Sequence, residues 1–410
     1  MAKNVVVLME GSGNAFDSAP SNVTRTLEFL ELGEGLRQEQ LAIWDYGVGT
    51  RIRDIENATA IGERFGGKPV PREHECSRRP ALTVLDPPKC PRWMPRRVAK
   101  VAGLAIGYGL QSNVTEAAAA VAKMYEPGDR LFMFGFSRGA FTVRVLAGLL
   151  YRFGLPPCKT SLAHGWVADR LSQMQTDPDI GSIDESLRVK TTFLGLWDTV
   201  KSYGFLRPVR YFHLRHNPGI DHVRHALALD EKRSWFQCTT WGYLDRDSHQ
   251  RDGTNPDKPR QVTPLRNPAQ TVKEVWFRGC HSDIGGGTEE RRNAEIALRW
   301  MLSEARGEGL CLNTQAESFL NQADSPAPIV PTESRRGLWR VADYIPRWEI
   351  DNDFSPAKLR RVCWPTGNRR PVDLLRGGHW AIHQSVRAVS APTERCSESA
   401  DSRSPVSEAD

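Results

Sequence analysis

The sequence lacks any run of about eighteen apolar residues, so it predicts no membrane-spanning helix. Its one apolar stretch near the N-terminus, Val5–Met9, is too short for a signal-peptide core, and no small-residue cleavage site follows it. These absences predict a cytoplasmic protein, and they fit equally a protein exported without a cleaved leader. The eight cysteines are scattered and form no C-x-x-C pair, so free thiols are expected and a zinc site is not. Charge of one sign is not abundant either. A formal net charge of +6 over 410 residues is mild and does not by itself call for a polyanion. No internal repeat is visible.

Phosphate-cradling loops are missing as well. Glu10-Gly11-Ser12-Gly13-Asn14 lacks the third glycine of a dinucleotide fingerprint, and no Lys-Ser or Lys-Thr pair follows Gly285-Gly286-Gly287. No cofactor and no metal are therefore expected. The triple glycine reads as a loop that can approach a ligand closely, or as a merely flexible one.

What is present is enough apolar sequence, 40% of the chain, for one large catalytic domain or two smaller ones. Short apolar runs predict strands at Val5–Met9, Leu41–Trp44, Arg130–Phe134, Thr192–Trp197 and Val272–Phe277. Helical patterning covers Val23–Leu32, Val101–Met124 and Phe141–Phe153, and helices are also expected at His222–Leu229 and Asn293–Ala305. Strand and helix alternate. That predicts an α/β fold with a mostly parallel sheet covered by helices on both faces. Residues 1–388 form the expected catalytic domain. The last residues, 389–410, rich in Ser, Glu, Asp and Pro, read as a disordered tail.

The basic character is local. Residues 68–100 hold nine Lys or Arg against three Asp or Glu, an excess equal to that of the whole chain, among many prolines. Trp93 is the one tryptophan of this insert, with Met94 beside it. Without interleaved aromatics it is a poor nucleic-acid surface. A solvated loop is the plain reading, and peripheral contact with anionic membrane, or a lid, is the functional one.

Gly135-Phe136-Ser137-Arg138-Gly139 matches G-x-S-x-G, with a buried strand entering it and an amphipathic helix leaving it. A sharp strand-to-helix turn lifts a serine Oγ clear of a sheet, and the flanking glycines let the backbone pass. Ser137 is the expected nucleophile. The Arg138 N–H and the backbone of Gly11 and Ser12 are the expected oxyanion donors. A serine nucleophile needs a base, and the base needs an orienting acid. Asp198 and His281 each follow a predicted strand, in the chain order this fold uses. Asp283 is a rival for the acid, and His383 (with His379) for the base. A tight turn, a capping aspartate and a loop histidine are the non-catalytic alternatives.

These residues, taken with their neighbours, resemble a known family. The matching blocks are Glu10–Asn14 with Ser21–Val23, Tyr46–Thr50, Gly107–Ala117, Gly128–Ala140, Gly195–Val200, His225–Arg233, Trp276–Gly287 and Ile382–Val386. The sequence is similar to the catalytic domain of bacterial type VI secretion lipase effectors of the first class. The resemblance implies an α/β-hydrolase fold and a triad that falls on Ser137, Asp198 and His281. It also implies hydrolysis of phospholipid acyl esters, and it admits secretion as an effector with a delivery partner. Alternatives are a carboxylesterase for small soluble esters and a hydrolase-fold binding protein without activity. Two departures stand out. Glu10 replaces the Asp of the family's Asp-Gly-Thr loop, and the basic insert is longer than the usual connection.

Overall fold

The computed structural model describes residues 2–11, 19–33, 38–45, 68–69, 81–85, 110–176, 183–200, 214, 216–233, 236–241, 251–252, 255–259, 267, 269–288, 290–322, 329–335, 347–350, 359–362, 380–383 and 407–409. Its strands are β1 Asn4–Met9, β2 Gln40–Asp45, β3 Lys68–Pro69, β4 Leu82–Val84, β5 Arg130–Phe136, β6 Thr191–Trp197 and β7 Ile220–Ala228. Then come β8 Arg251–Asp252, β9 Asn255–Pro259, β10 Thr271–Phe277, β11 Arg347–Ile350, β12 Leu359–Val362, β13 Trp380–His383 and β14 Ser407–Ala409. The helices are α1 Asn22–Phe29, α2 Leu110–Met124, α3 Arg138–Phe153, α4 Thr160–Thr176, α5 His281–Gly285, α6 Arg292–Gly307 and α7 Thr314–Leu320.

One sheet organises the chain, in the order β14-β13-β10-β7-β6-β5-β1-β2-β4-β3. Every pairing in it is parallel. Parallel sheets must be covered on both faces, and the side-chain alternation shows how. Val5, Val7 and Met9 of β1 and Leu131 and Met133 of β5 pack with α2, α3 and α4. Val6 and Leu8, with Phe132, Phe134 and Phe136, pack on the other face with α1, α6 and α7. Each such fully buried side chain contributes roughly 1.5–3 kcal/mol. This is the α/β architecture expected of the sequence.

One expectation is overturned. His222–Leu229 is not a helix: Ile220–Ala228 is strand β7, in register with β6 on one side and β10 on the other. Val223, Ala226 and Leu227 fall at i, i+3 and i+4, which imitates a helical stripe. The segment is nevertheless buried along most of its length, and as a strand it pairs with a neighbour on each side. Within the insert, Lys68–Pro69 and Leu82–Val84 form the outer strands β3 and β4. Most of the insert and the family block at residues 46–50 lie outside the described residues, as does the tail from 389 except β14.

Candidate active site

Strand β5 runs straight into the elbow. Ser137 caps α3 with φ 58° and ψ −116°, a conformation that L residues avoid. The turn is tight enough that a Cβ on Gly135 would lie 2.6 Å from the Ala140 nitrogen, and one on Gly139 only 2.1 Å from the Met9 carbonyl. No residue but glycine fits at either position. The Ser137 N–H donates to the Trp197 carbonyl at 3.0 Å, tying the elbow to the end of β6.

Asp198 follows directly on β6, itself at φ 43°. Its N–H donates to the Ala226 carbonyl (2.8 Å), and its Oδ1 accepts the Ala228 N–H at 3.1 Å, so β7 fixes the carboxylate. Oδ2 faces the imidazole of His281, 2.6 Å from Nδ1. Nε2 of the same ring lies 2.8 Å from the Ser137 Oγ. Three residues from three strand ends are thus joined in one hydrogen-bonded line. All three are nearly closed off: Ser137 is 7% exposed, His281 4% and Asp198 0%. Burial holds the His281 pKa below the 6.5 of a free imidazole, while the Asp198 carboxylate opposes that shift.

His281 opens the short helix α5, capped by Cys280. Asp283 is not on the imidazole. Its Oδ2 accepts the Cys280 N–H (2.9 Å) and the Thr332 N–H (2.9 Å), and its Oδ1 accepts the Thr332 hydroxyl at 2.7 Å. It closes the first turn of α5 and holds residues 329–335, which corrects its reading as a rival acid. Cys280 is no rival nucleophile. Burial, with Asp283 beside it, pushes its thiol up to about 12, so it keeps its proton. His383 ends β13, which pairs with β10 at the same end of the sheet, and its side chain lies outside the described residues.

The triple glycine does not form an open ligand loop. Gly285 ends α5 against the Phe136 ring, where a Cβ would lie 2.0 Å from a ring carbon. Gly286 (φ 79°) bridges Ser21, and the Gly287 N–H donates to the Pro20 carbonyl.

Of the expected oxyanion donors, Arg138 is the first residue of α3, and Gly11 abuts Ser137: a Cβ there would lie 3.3 Å from the Ser137 Cβ. Ser12 lies outside the described residues. The Glu10 carboxylate is tied to the start of α1. It accepts the Ser21 hydroxyl (2.6 and 2.8 Å to its two oxygens) and the Thr24 hydroxyl. Ser21 in turn caps α1, accepting the N–H groups of Val23 and Thr24.

Two groups around the line were not found from sequence. Thr199, next to Asp198, donates its N–H to His225 Nε2 at 3.1 Å. That nitrogen therefore accepts, and Nδ1 carries the proton toward Glu274 Oε1 at 2.8 Å. The Arg144 guanidinium approaches the same Nδ1 at 3.4 Å, a meeting of two donors that is a contact rather than a hydrogen bond. Complete burial keeps the His225 pKa low, opposed by Glu274 and assisted by Arg144. The second group is Glu231 with Arg233, beside His281. Both lie in the block His225–Arg233, whose charged residues within a buried stretch were the available signal.

Among the described residues no group of three or more His, Cys, Asp or Glu could hold a metal ion, and no helix is long and apolar enough to cross a membrane.

A family model described as "T6SS, Phospholipase effector Tle1-like, catalytic domain" matches residues 3–304. The chain belongs to this family. An uncharacterised protein of Saccharomyces cerevisiae, YEL023C, is 26% identical over 254 residues, covering 57% of this chain and 32% of its own length. Two solved structures are also similar. An uncharacterised Pseudomonas aeruginosa protein is 16% identical with a TM-score of 0.40, covering 78% of this chain and 49% of that one. A Tle1 effector bound to the VgrG spike of a type VI secretion system is 14% identical with a TM-score of 0.30, covering 70% and 51%. The chain thus spans about a third of the yeast relative and about half of each solved chain.

Proposed function

We propose that this chain is a serine hydrolase that cleaves carboxylic esters, with phospholipid acyl esters as its substrates. The observation that carries the reading is the continuous line from Asp198 Oδ2 through His281 to Ser137 Oγ, with separations of 2.6 and 2.8 Å. Membership of the Tle1-like phospholipase family supports the lipid side of it.

In the first step Ser137 Oγ attacks the ester carbonyl carbon while His281 Nε2 takes its proton. Asp198 holds the ring with Nδ1–H turned toward it and stabilises the imidazolium. The negative oxygen of the tetrahedral intermediate faces the N-terminus of α3, where the Arg138 N–H and the backbone at Gly11-Ser12 donate. His281 returns the proton to the leaving alcohol. Water then repeats the sequence on the acyl-enzyme, releasing the acid and restoring the serine. No cofactor or metal enters. The basic insert is the proposed contact with anionic lipid, and delivery by a type VI apparatus is the proposed route to it.

The test is hydrolysis of a series of short- and long-chain esters and of phospholipid vesicles by the wild type and Ser137→Ala. Loss of at least about a thousandfold in the variant supports the nucleophile. Preference for long acyl chains supports a lipase, and preference for short ones a soluble esterase. Equal activity in the variant, or none in the wild type, overturns the proposal.

A further inference from the structure

His281 is held by more than Asp198. Its ring lies between two phenylalanines, with centroids 4.6 Å from Phe136 and 4.8 Å, edge-on, from Phe236. Its main-chain N–H donates to Glu231 Oε2 at 3.1 Å. Glu231 is 1% exposed and is the centre of a small network. Its Oε1 accepts the Arg233 N–H (2.7 Å), the Arg233 Nε (2.9 Å) and the Ser334 hydroxyl (2.9 Å). Its Oε2 also accepts Arg233 Nη2 at 2.8 Å. The Arg233 guanidinium in turn lies over the Phe236 ring, its central carbon 3.7 Å from the ring centroid.

We infer that Glu231 and Arg233 are a positioning pair for His281: the carboxylate fixes its main chain, while the guanidinium cancels that charge and braces Phe236 against the imidazole. The inference deepens the proposed function and rests on reading His281 as the base. Two full charges beside a buried imidazole are costly unless they cancel. Among the described residues, the charged groups that face the ring are these. Asp198 comes from the end of β6, and Glu231 and Arg233 from the segment after β7. Asp283, on the same short helix, is turned to Cys280 and Thr332, and Asp230 is held by the Gly279 N–H and Arg278. The two members of the pair act on His281 in opposite senses, Arg233 lowering its proton affinity and Glu231 raising it. Burial pushes the Glu231 carboxyl up, but the Arg233 bonds outweigh it and keep the group ionised.

A carboxylate that merely tied down a loop would leave the titration of His281 untouched. The full-length wild type, Glu231→Gln, Arg233→Gln and the double variant serve as the test. For each, the midpoint of the His281 ring is read by NMR of labelled histidine, and the pH dependence of fluorophosphonate labelling at Ser137 is read alongside. Glu231→Gln leaves an uncancelled cation and lowers the midpoint. Arg233→Gln leaves Glu231 ionised through its three remaining donors and raises it. The double variant returns toward the wild type. Opposite shifts with restoration support the pair, and midpoints equal to the wild type in both single variants overturn it. Should Glu231→Gln fail to fold, the direction in Arg233→Gln decides alone, a rise supporting the pair and an unchanged or lower midpoint overturning it. A wild type that never labels, with the midpoints still moving oppositely, removes the hydrolase reading and leaves the pair intact.

Discussion

Asp198 Oδ2 stands 2.6 Å from His281 Nδ1, although the two residues are 83 positions apart in the chain. The approach depends on β6, β7 and β10 lying side by side and ending on one edge. Asp198 leaves β6 in a left-handed turn, and β7 pins its other oxygen through Ala228.

From this pair follows a first prediction. Asp198→Asn keeps the shape but presents an amide to Nδ1, so the ring adopts the wrong tautomer for taking the serine proton. The expected loss in kcat is about ten-thousandfold, with KM little changed. A steady-state assay on a chromogenic ester measures it, and a loss under tenfold would place the orienting acid elsewhere.

In the proposed mechanism acylation needs neutral His281. Because burial outweighs Asp198 and holds its pKa below the ordinary 6.5, activity should persist as pH falls through that value and be lost only at lower pH. A pH profile of kcat/KM with its acid limb above the ordinary imidazole range would contradict this.

Stability should carry a related signature. His225 is buried in the neutral form, so the unfolded chain binds a proton more readily than the folded one. The contribution is complete above the unfolded value of 6.5 and is lost as pH falls toward and through the depressed folded value. Thermal melts should therefore show Tm falling below that pH, with a shallower fall in His225→Gln. His225→Leu, which strands the Thr199 N–H and removes the Glu274 partner, should cost about 3 kcal/mol in urea melts.

The elbow glycines give a purely steric prediction. Gly139→Ala forces a carbon within 2.1 Å of the Met9 carbonyl and should abolish soluble expression or cost more than about 4 kcal/mol. In the core, Phe134→Ala removes a fully buried ring lying 5.5 Å from Phe193 and 6.1 Å from Trp197, and should cost about 3–5 kcal/mol in the same melts.

The sequence made legible those elements whose burial leaves a one-dimensional trace. Val5–Met9 and Leu131–Phe134 are unbroken apolar runs, and both lie inside strands in the sheet. Ser137, Asp198 and His281 could be picked out because each sits just beyond such a run. β7 was misread because Arg224 and His225 interrupt its apolar pattern, and what makes them tolerable is not local. Arg224 pairs with Glu304 on α6, and His225 with Glu274, 49 residues on in β10. The same reason hid Glu231 and Arg233. A charge in a buried stretch has meaning only once its partner and the ring it faces are known.

Ser137 and Asp198 are the two non-glycine residues with positive φ among the described residues. Each such conformation costs roughly 1–3 kcal/mol, which glycine would largely remove. Ser137→Gly should accordingly be a hardier protein than the wild type while being inert toward esters, whereas Asp198→Gly also strands the buried Ala228 N–H and gains nothing. At Ser137 durability and the proposed turnover pull in opposite directions. A stabilised variant recovered by heat selection alone would be drawn toward losing the serine of the proposed triad.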